Sequence, residues 1–200
     1  MLSIVAASSE RPDHPSHSLP AGHTLICFSH LRWNFDSHRL QQLMSRFARG
    51  GRVIYWEEPE EATPDCEPAL GVRTCAETGV VVVTPSLPEP MKTADRDGAL
   101  RRLLNDFLAE EDGPFIRWYC DPAMLVFSRH LVSAATIYDR AVASPGSLPT
   151  LERELGDVAD FTFTGDADGL GARLARAVRP LAPANLNRPP TLLAAEPQLG

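Results

Sequence analysis

Thr24-Leu-Ile-Cys-Phe-Ser-His-Leu-Arg-Trp-Asn-Phe-Asp-Ser-His-Arg-Leu-Gln-Gln-Leu-Met-Ser-Arg-Phe-Ala-Arg49 is the stretch on which the reading of this chain turns. Leu25 to Phe28 is a short apolar run without polar alternation, as expected of a strand buried on both faces. A polar loop, Ser29 to Asp36, follows it. Leu40, Leu43, Met44 and Phe47 then recur at helical spacing and give a helix one apolar face. Asp36 or Ser37 suits the helix start, and Gly50-Gly51 its end. Strand, polar loop and helix open a βα unit. In open α/β sheets ligands bind beyond the carboxyl ends of the strands, so the loop with Ser29, His30 and Trp33, and Arg39 just after it, is where chemistry is expected.

The same alternation continues downstream. Val53 to Trp56 reads as a second strand, stopped by Glu57-Glu58-Pro59. Residues 60–78 read as an acidic loop, with a short edge strand at Val72 to Cys75. Val80 to Thr84 reads as a buried strand closed by Pro85, and Pro85 to Pro90 as a proline-rich loop. Asp97 is the expected cap of a helix whose apolar face is Leu100, Leu103, Leu104, Phe107 and Leu108. Gly113-Pro114 breaks the pattern. Phe115 to Tyr119 is a strand, Ala123 to Leu131 a short helix and Ala134 to Tyr138 a strand. Pro149 opens a helix to about Leu155. Phe161 to Thr164 is the last strand, with a helix from Gly165-Asp166 to about Val178. The prediction is a mainly parallel α/β sheet with helices on both faces. Its strands place Ser29-His30, Glu57-Glu58, Asp121, Asp139 and Gly165-Asp166 on one rim. A polar, partly acidic crevice of that kind suits a hydroxyl-rich ligand.

Composition sets outer limits. The chain has 200 residues, 44% of them hydrophobic, which suits one ordinary domain. Residues 1–22 carry Pro12, Pro15 and Pro20 with serines and histidines and read as a disordered lead-in; residues 23–180 read as the domain, and 181–200 as a proline-rich tail. A net charge of −7 argues against a nucleic-acid surface. No apolar run approaches the roughly 20 residues that span a bilayer. Met1 to Ala7 lacks the basic start of a signal peptide, so a cytoplasmic protein is expected. Cys27, Cys66, Cys75 and Cys120 form no CxxC pair, so no zinc site or other metal is expected, and no cofactor. Cys27 and Cys120, beside strand ends, read as buried reduced thiols. No GxGxxG, GxxxxGK[ST] or GxSxG occurs. Gly165-Asp-Ala-Asp-Gly-Leu-Gly171 reads better as a helix cap than as an anion cradle.

Leu25-Ile-Cys-Phe-Ser-His-Leu-Arg-Trp-Asn-Phe35, with Arg39 and Gln41 after it, resembles the opening of a bacterial glycosyltransferase group of the GT-B type. In that group a Ser-His-x-x-Trp loop leads into an Arg-Pro-Gln helix start. Val53-Ile-Tyr-Trp-Glu-Glu-Pro59, Tyr138-Asp139 and Phe163-Thr-Gly165 resemble its later strands. The proline expected after Arg39 is Leu40, and Arg140-Ala-Val-Ala-Ser144 replaces further acidic residues. The resemblance implies a Rossmann-like domain, the acceptor-side half of a nucleotide-sugar-dependent, hexosyltransferase-type enzyme of cell-envelope polysaccharide. It implies that this chain is truncated, without the donor-binding half, and inactive alone. Its partners would be a nucleotide sugar and a sugar acceptor once that half is supplied. The alternative is a non-catalytic carbohydrate- or partner-binding relic. On this reading His30 and Asp121 are the catalytic candidates. Ser29, Trp33, Arg39, Glu57, Glu58 and Asp139 are the substrate-binding ones. Each has a plainer reading too: a structural loop histidine, a tryptophan packed under the loop, an arginine paired with a rim carboxylate, solvated glutamates, and aspartates that cap helices.

Overall fold

Every residue of the first strand, β1 (Thr24–Phe28), is buried. It lies between β2 (Arg52–Trp56) and β6 (Phe115–Tyr119) and pairs parallel with both, Phe28 opposite Trp56 on one side and Tyr119 on the other. A computed structural model of the chain describes residues 19–34, 38–141 and 148–164. The remaining strands are β3 (Glu60–Ala62), β4 (Ala69–Thr74), β5 (Val81–Pro88), β7 (Ala135–Asp139) and β8 (Phe161–Phe163). The helices are α1 (His38–Ala48), α2 (Thr93–Leu108), α3 (Leu125–Ser128) and α4 (Pro149–Val158). The strand order is β3-β5-β2-β1-β6-β7-β8, with β4 antiparallel on β5 and every other pair parallel. This is the predicted Rossmann-like α/β sheet.

The order follows from the chain's direction of travel. From β1 it steps through β2 to β5, then α2 carries it back to β6 on the other side of β1. It continues outward through β7 and β8. Right-handed crossovers put helices on opposite faces when the direction reverses. Accordingly α1 packs Leu40, Leu43, Met44 and Phe47 against Leu25, Cys27, Val53 and Tyr55 on one face. On the other, α2, α3 and α4 pack Leu100, Leu104, Phe127 and Leu155 against Ile26, Phe28, Ile54 and Trp56. Successive residues of β1 thus feed two separate cores, which is why the run is uniformly apolar.

Four local readings are corrected. Residues 60–78 are not one loop. They contain β3 and β4, and the latter starts three residues before the predicted Val72. Only Leu70 of β4 is even half-buried, so the strand is held by backbone pairing to β5 and has no apolar pattern to read. The strand predicted to close at Pro85 runs on to Pro88. Residues 81–83 of β5 pair with β2 and 86–88 with β3. Pro85, which has no N–H to give, falls at the step between those pairings, where a proline costs the ladder least. Helix α2 begins at Thr93 rather than after Asp97, with Lys92 at its N-cap. The helix predicted from Ala123 to Leu131 is a 3₁₀ turn, Pro122–Met124, followed by the single turn of α3. The Asp36 or Ser37 cap, the Gly165–Gly171 motif, the helix to Val178, the lead-in up to residue 18 and the tail from residue 181 lie outside the described residues, while Leu19, near the end of the lead-in, is buried in the α1-side core.

The α1 face offers a direct measure of what burial contributes. Phe47 has no exposed surface and meets Trp118 edge-on at 6.1 Å between ring centroids. Phe47→Ala should lower unfolding free energy by about 3–5 kcal/mol, read by urea denaturation, because both transfer and cavity costs fall on one residue.

Candidate functional site

The sheet changes its direction of travel between β1 and β6, and a crevice is expected at the carboxyl ends of those two strands. Two residues beyond Phe28 stands His30; two beyond Tyr119 stands Asp121. The Cys120 N–H still bonds the Phe28 carbonyl at 2.9 Å, so the strands remain paired up to the crevice. His30 Nδ1 lies 3.9 Å from Asp121 Oδ2. That nitrogen is buried and has no hydrogen-bond partner among the described residues. Asp121 meanwhile accepts from the Ala123 N–H through its other oxygen, at 2.9 Å. It is therefore a turn cap and the carboxylate facing the histidine at once.

One strand further along, Asp139 is completely buried at the end of β7. Its carboxylate takes the Arg39 guanidinium at 3.0 Å and the Ala141 N–H at 3.1 Å. Arg39, on the first turn of α1, is thereby tied across β1 and β6 to the β7 end.

The loop after β1 is shaped by a different carboxylate. Glu57 is 3% exposed. It accepts from the Trp33 N–H at 2.6 Å, the Thr84 hydroxyl at 2.6 Å and the Arg32 guanidinium at 3.4 Å. Arg73 approaches it at 3.7 Å. A three-residue break, Glu57-Glu58-Pro59, separates β2 from β3, and it spans only Thr84-Pro85 on β5. The extra residue is a bulge, and bulges re-aim side chains near sites. Here it turns Glu57 inward and leaves Glu58 exposed. Ser29 is fully buried, with its hydroxyl accepting from the Leu31 N–H at 3.0 Å. The Tyr55 hydroxyl donates to the Leu31 carbonyl at 3.1 Å. Trp33 packs edge-on against Tyr55 at 5.0 Å and is 3% exposed. Gln41 donates to the Trp33 carbonyl.

The rim thus brings together Ser29, His30 and Asp121, with the Arg39–Asp139 pair two strands from β1. Trp33 and Glu57 are built into the loop's foundation, without the exposed face or free oxygens that a sugar platform needs. Glu58 stands in solvent. Arg32, Thr84 and Arg73 complete the Glu57 cluster, and sequence reading had assigned them nothing. Their pairings cross the sheet and leave no local pattern. Deep burial, then the neighbouring Cys27, pushes the Tyr55 phenol far up. Burial and Cys120 do the same to the Cys27 thiol, whose sulfur lies 4.0 Å from that of Cys120. Both groups stay protonated and inert. Among the described residues no cluster of three or more His, Cys, Asp or Glu could hold a metal ion, and no helix is long and apolar enough to cross a membrane.

No protein-family model matches the chain, and no curated protein matches it significantly. Among solved structures it is similar to an E. coli protein described as trehalose-6-phosphate bound with UDP-2-fluoro glucose. Identity is 14% and TM-score 0.45, over 76% of this chain and 42% of that one. It is also similar to an alpha,alpha-trehalose-phosphate synthase (UDP-forming) from Burkholderia vietnamiensis: 16% identity, TM-score 0.44, 74% and 42% coverage. A third is the corresponding synthase of Burkholderia xenovorans in complex with glucose-6-phosphate: 13% identity, TM-score 0.41, 77% and 42% coverage. The chain spans about two-fifths of the length of these proteins.

The Glu57 cluster makes a firm stability prediction. Glu57→Ala strands the Trp33 N–H, the Thr84 hydroxyl and a half-buried Arg32, and should cost about 3 kcal/mol in urea denaturation. Glu57→Gln keeps an acceptor and should cost clearly less.

Proposed function

We propose that this domain is the acceptor-side half of a nucleotide-sugar-dependent glycosyltransferase, of hexosyltransferase type, and that it transfers nothing without a donor-binding domain. The observation that carries the reading is the His30–Asp121 pair at the switch point between β1 and β6. The resemblance of Ser29-His30 to Trp33 to a glycosyltransferase loop supports it. A carboxylate facing Nδ1 favours the tautomer that bears its proton there. Nε2 is then left with a lone pair. In the reaction an acceptor hydroxyl oxygen bonds to the anomeric carbon of the donor sugar while that carbon's bond to the nucleotide phosphate breaks. His30 Nε2 takes the hydroxyl proton, and Asp121 stabilises the imidazolium that results. The 3.9 Å gap closes as the substrate seats, since catalytic hydrogen bonds tighten in the complex. Arg39, anchored by buried Asp139, and Glu58 are the groups left to meet the acceptor, while Ser29, Trp33 and Glu57 hold the loop rigid.

Turnover requires donor and acceptor side by side, and that positioning supplies up to roughly 7–11 kcal/mol of a barrier. One wall of a cleft gives only the acceptor's share. The isolated chain should therefore release no nucleotide from nucleotide sugars. In NMR titrations with mono- and disaccharides, amide resonances of residues 29–31 and 121–123 should shift. His30→Ala should weaken that response severalfold. Saccharides that leave the rim resonances untouched overturn the acceptor-side assignment. Turnover by the isolated chain that survives His30→Ala overturns the catalytic one.

A further inference from the structure

The connection between β2 and β5 differs from every other parallel step among the described residues. Helices cover the rest: α1 between β1 and β2, α2 between β5 and β6, α3 and α4 further out. From β2 to β5 the chain runs instead as β3, β4 and a tight hairpin. In that hairpin the Cys75 N–H bonds the Val80 carbonyl and the Gly79 N–H the Cys75 carbonyl, both at 2.8 Å, with Gly79 at φ +76°. A left-handed residue there favours glycine. Where a crossover helix would flank α1, a cavity of about 760 Å³ opens between α1 and this hairpin.

Its walls are cationic. Arg46 of α1 and Arg49, just past the helix end, line it together with Arg73 of β4, and Glu77 is the one carboxylate of the lining. No ion pair among the described residues involves Arg46 or Arg49; Arg73 reaches Glu57 only at 3.7 Å. A cation in the last turn of α1 suits the helix dipole. That accounts for Arg46 but not for a second arginine three residues on, which repels the first. Nor does it account for a third from another element, in a chain of net charge −7. A hydrogen bond from the Thr78 side chain, helped by Trp33, lowers the Cys75 thiol below its ordinary range.

We propose that this cavity binds a small organic phosphate, its oxyanion held by the guanidinium forks of Arg46, Arg49 and Arg73 and its organic part laid against Cys75 and Ala76. Three guanidinium groups against one lining carboxylate, with Arg73 only loosely shared with Glu57, leave the cavity positive, and a phosphate monoester dianion offsets that charge. Guanidinium is the side chain whose planar donors match phosphate oxygens. The volume lies within the range of small-molecule sites and exceeds what a bare anion fills. The assignment does not rest on the glycosyl-transfer reading and uses none of the rim residues proposed for catalysis.

The test uses the full chain with pyrophosphate, glycerol 3-phosphate and glycerol as probes. Binding is read by calorimetry and by the rate at which N-ethylmaleimide labels Cys75, with exposed Cys66 as the internal control. Both phosphates should slow Cys75 labelling while Cys66 labels as before, and glycerol should do nothing. The double variant Arg46→Gln, Arg49→Gln should lose at least about tenfold in affinity with its melting temperature unchanged. Glu77→Gln should bind tighter, and added salt should weaken binding throughout. The proposal is overturned if the phosphates leave Cys75 labelling unaltered or if the double variant binds as the parent does. Loss of binding in His30→Ala alone would also overturn it, by placing the anion on the rim.

Discussion

Burying β1 on both faces and along both edges constrains everything else in this domain. Its backbone groups must be paired on each side, because no water reaches them. Its side chains must meet apolar partners above and below. Parallel neighbours satisfy the first demand, and helices on opposite faces the second. Parallel pairing in turn forces the strands to end on a common rim. His30 and Asp121 are neighbours because they occupy equivalent positions beyond two strands in register, although 91 residues separate them in the chain.

Glu57 turns that rim from a place into a shape. A carboxylate at 3% exposure has lost its hydration and is tolerable only with its oxygens engaged. The partners that engage it belong to the β1 loop, β4 and β5. The histidine loop is therefore built into the sheet, unlike a mobile flap. A preorganised loop suits the proton transfer proposed for His30, since such transfer depends on geometry set in advance.

The architecture could be read from the chain because its signals were local. Uniform apolar runs at Leu25–Phe28 and Val53–Trp56 and helical periodicity at Leu40–Phe47 each report burial within a few residues. The misreadings share one cause. β4 carries almost no apolar signal because it faces solvent, so only its hydrogen bonds to β5 define it. Pro85 looked like a strand end because its tolerance depends on the β2–β3 bulge opposite. At the rim, residue types could be named, but their surroundings could not. Trp33 in a polar loop could equally stack on a ligand or on Tyr55. The choice rests on the Glu57 hydrogen bond that pulls its backbone down, and that bond joins residues 24 apart in the chain.

Among the described residues β4 pairs with one strand, β5, and no strand pairs with its other edge. Free strand edges can accept a strand from another molecule, and Val72 adds apolar surface there at 53% exposure. Two features blunt that edge: Arg73 within the strand, and the mutual repulsion of copies that each carry about seven negative charges near neutrality. The repulsion depends on pH. It vanishes near the isoelectric point, about 5.3, where only Arg73 still guards the edge. Colloidal behaviour and fold are thus joined at one short strand, and mildly acidic buffers are where this protein is most prone to self-associate.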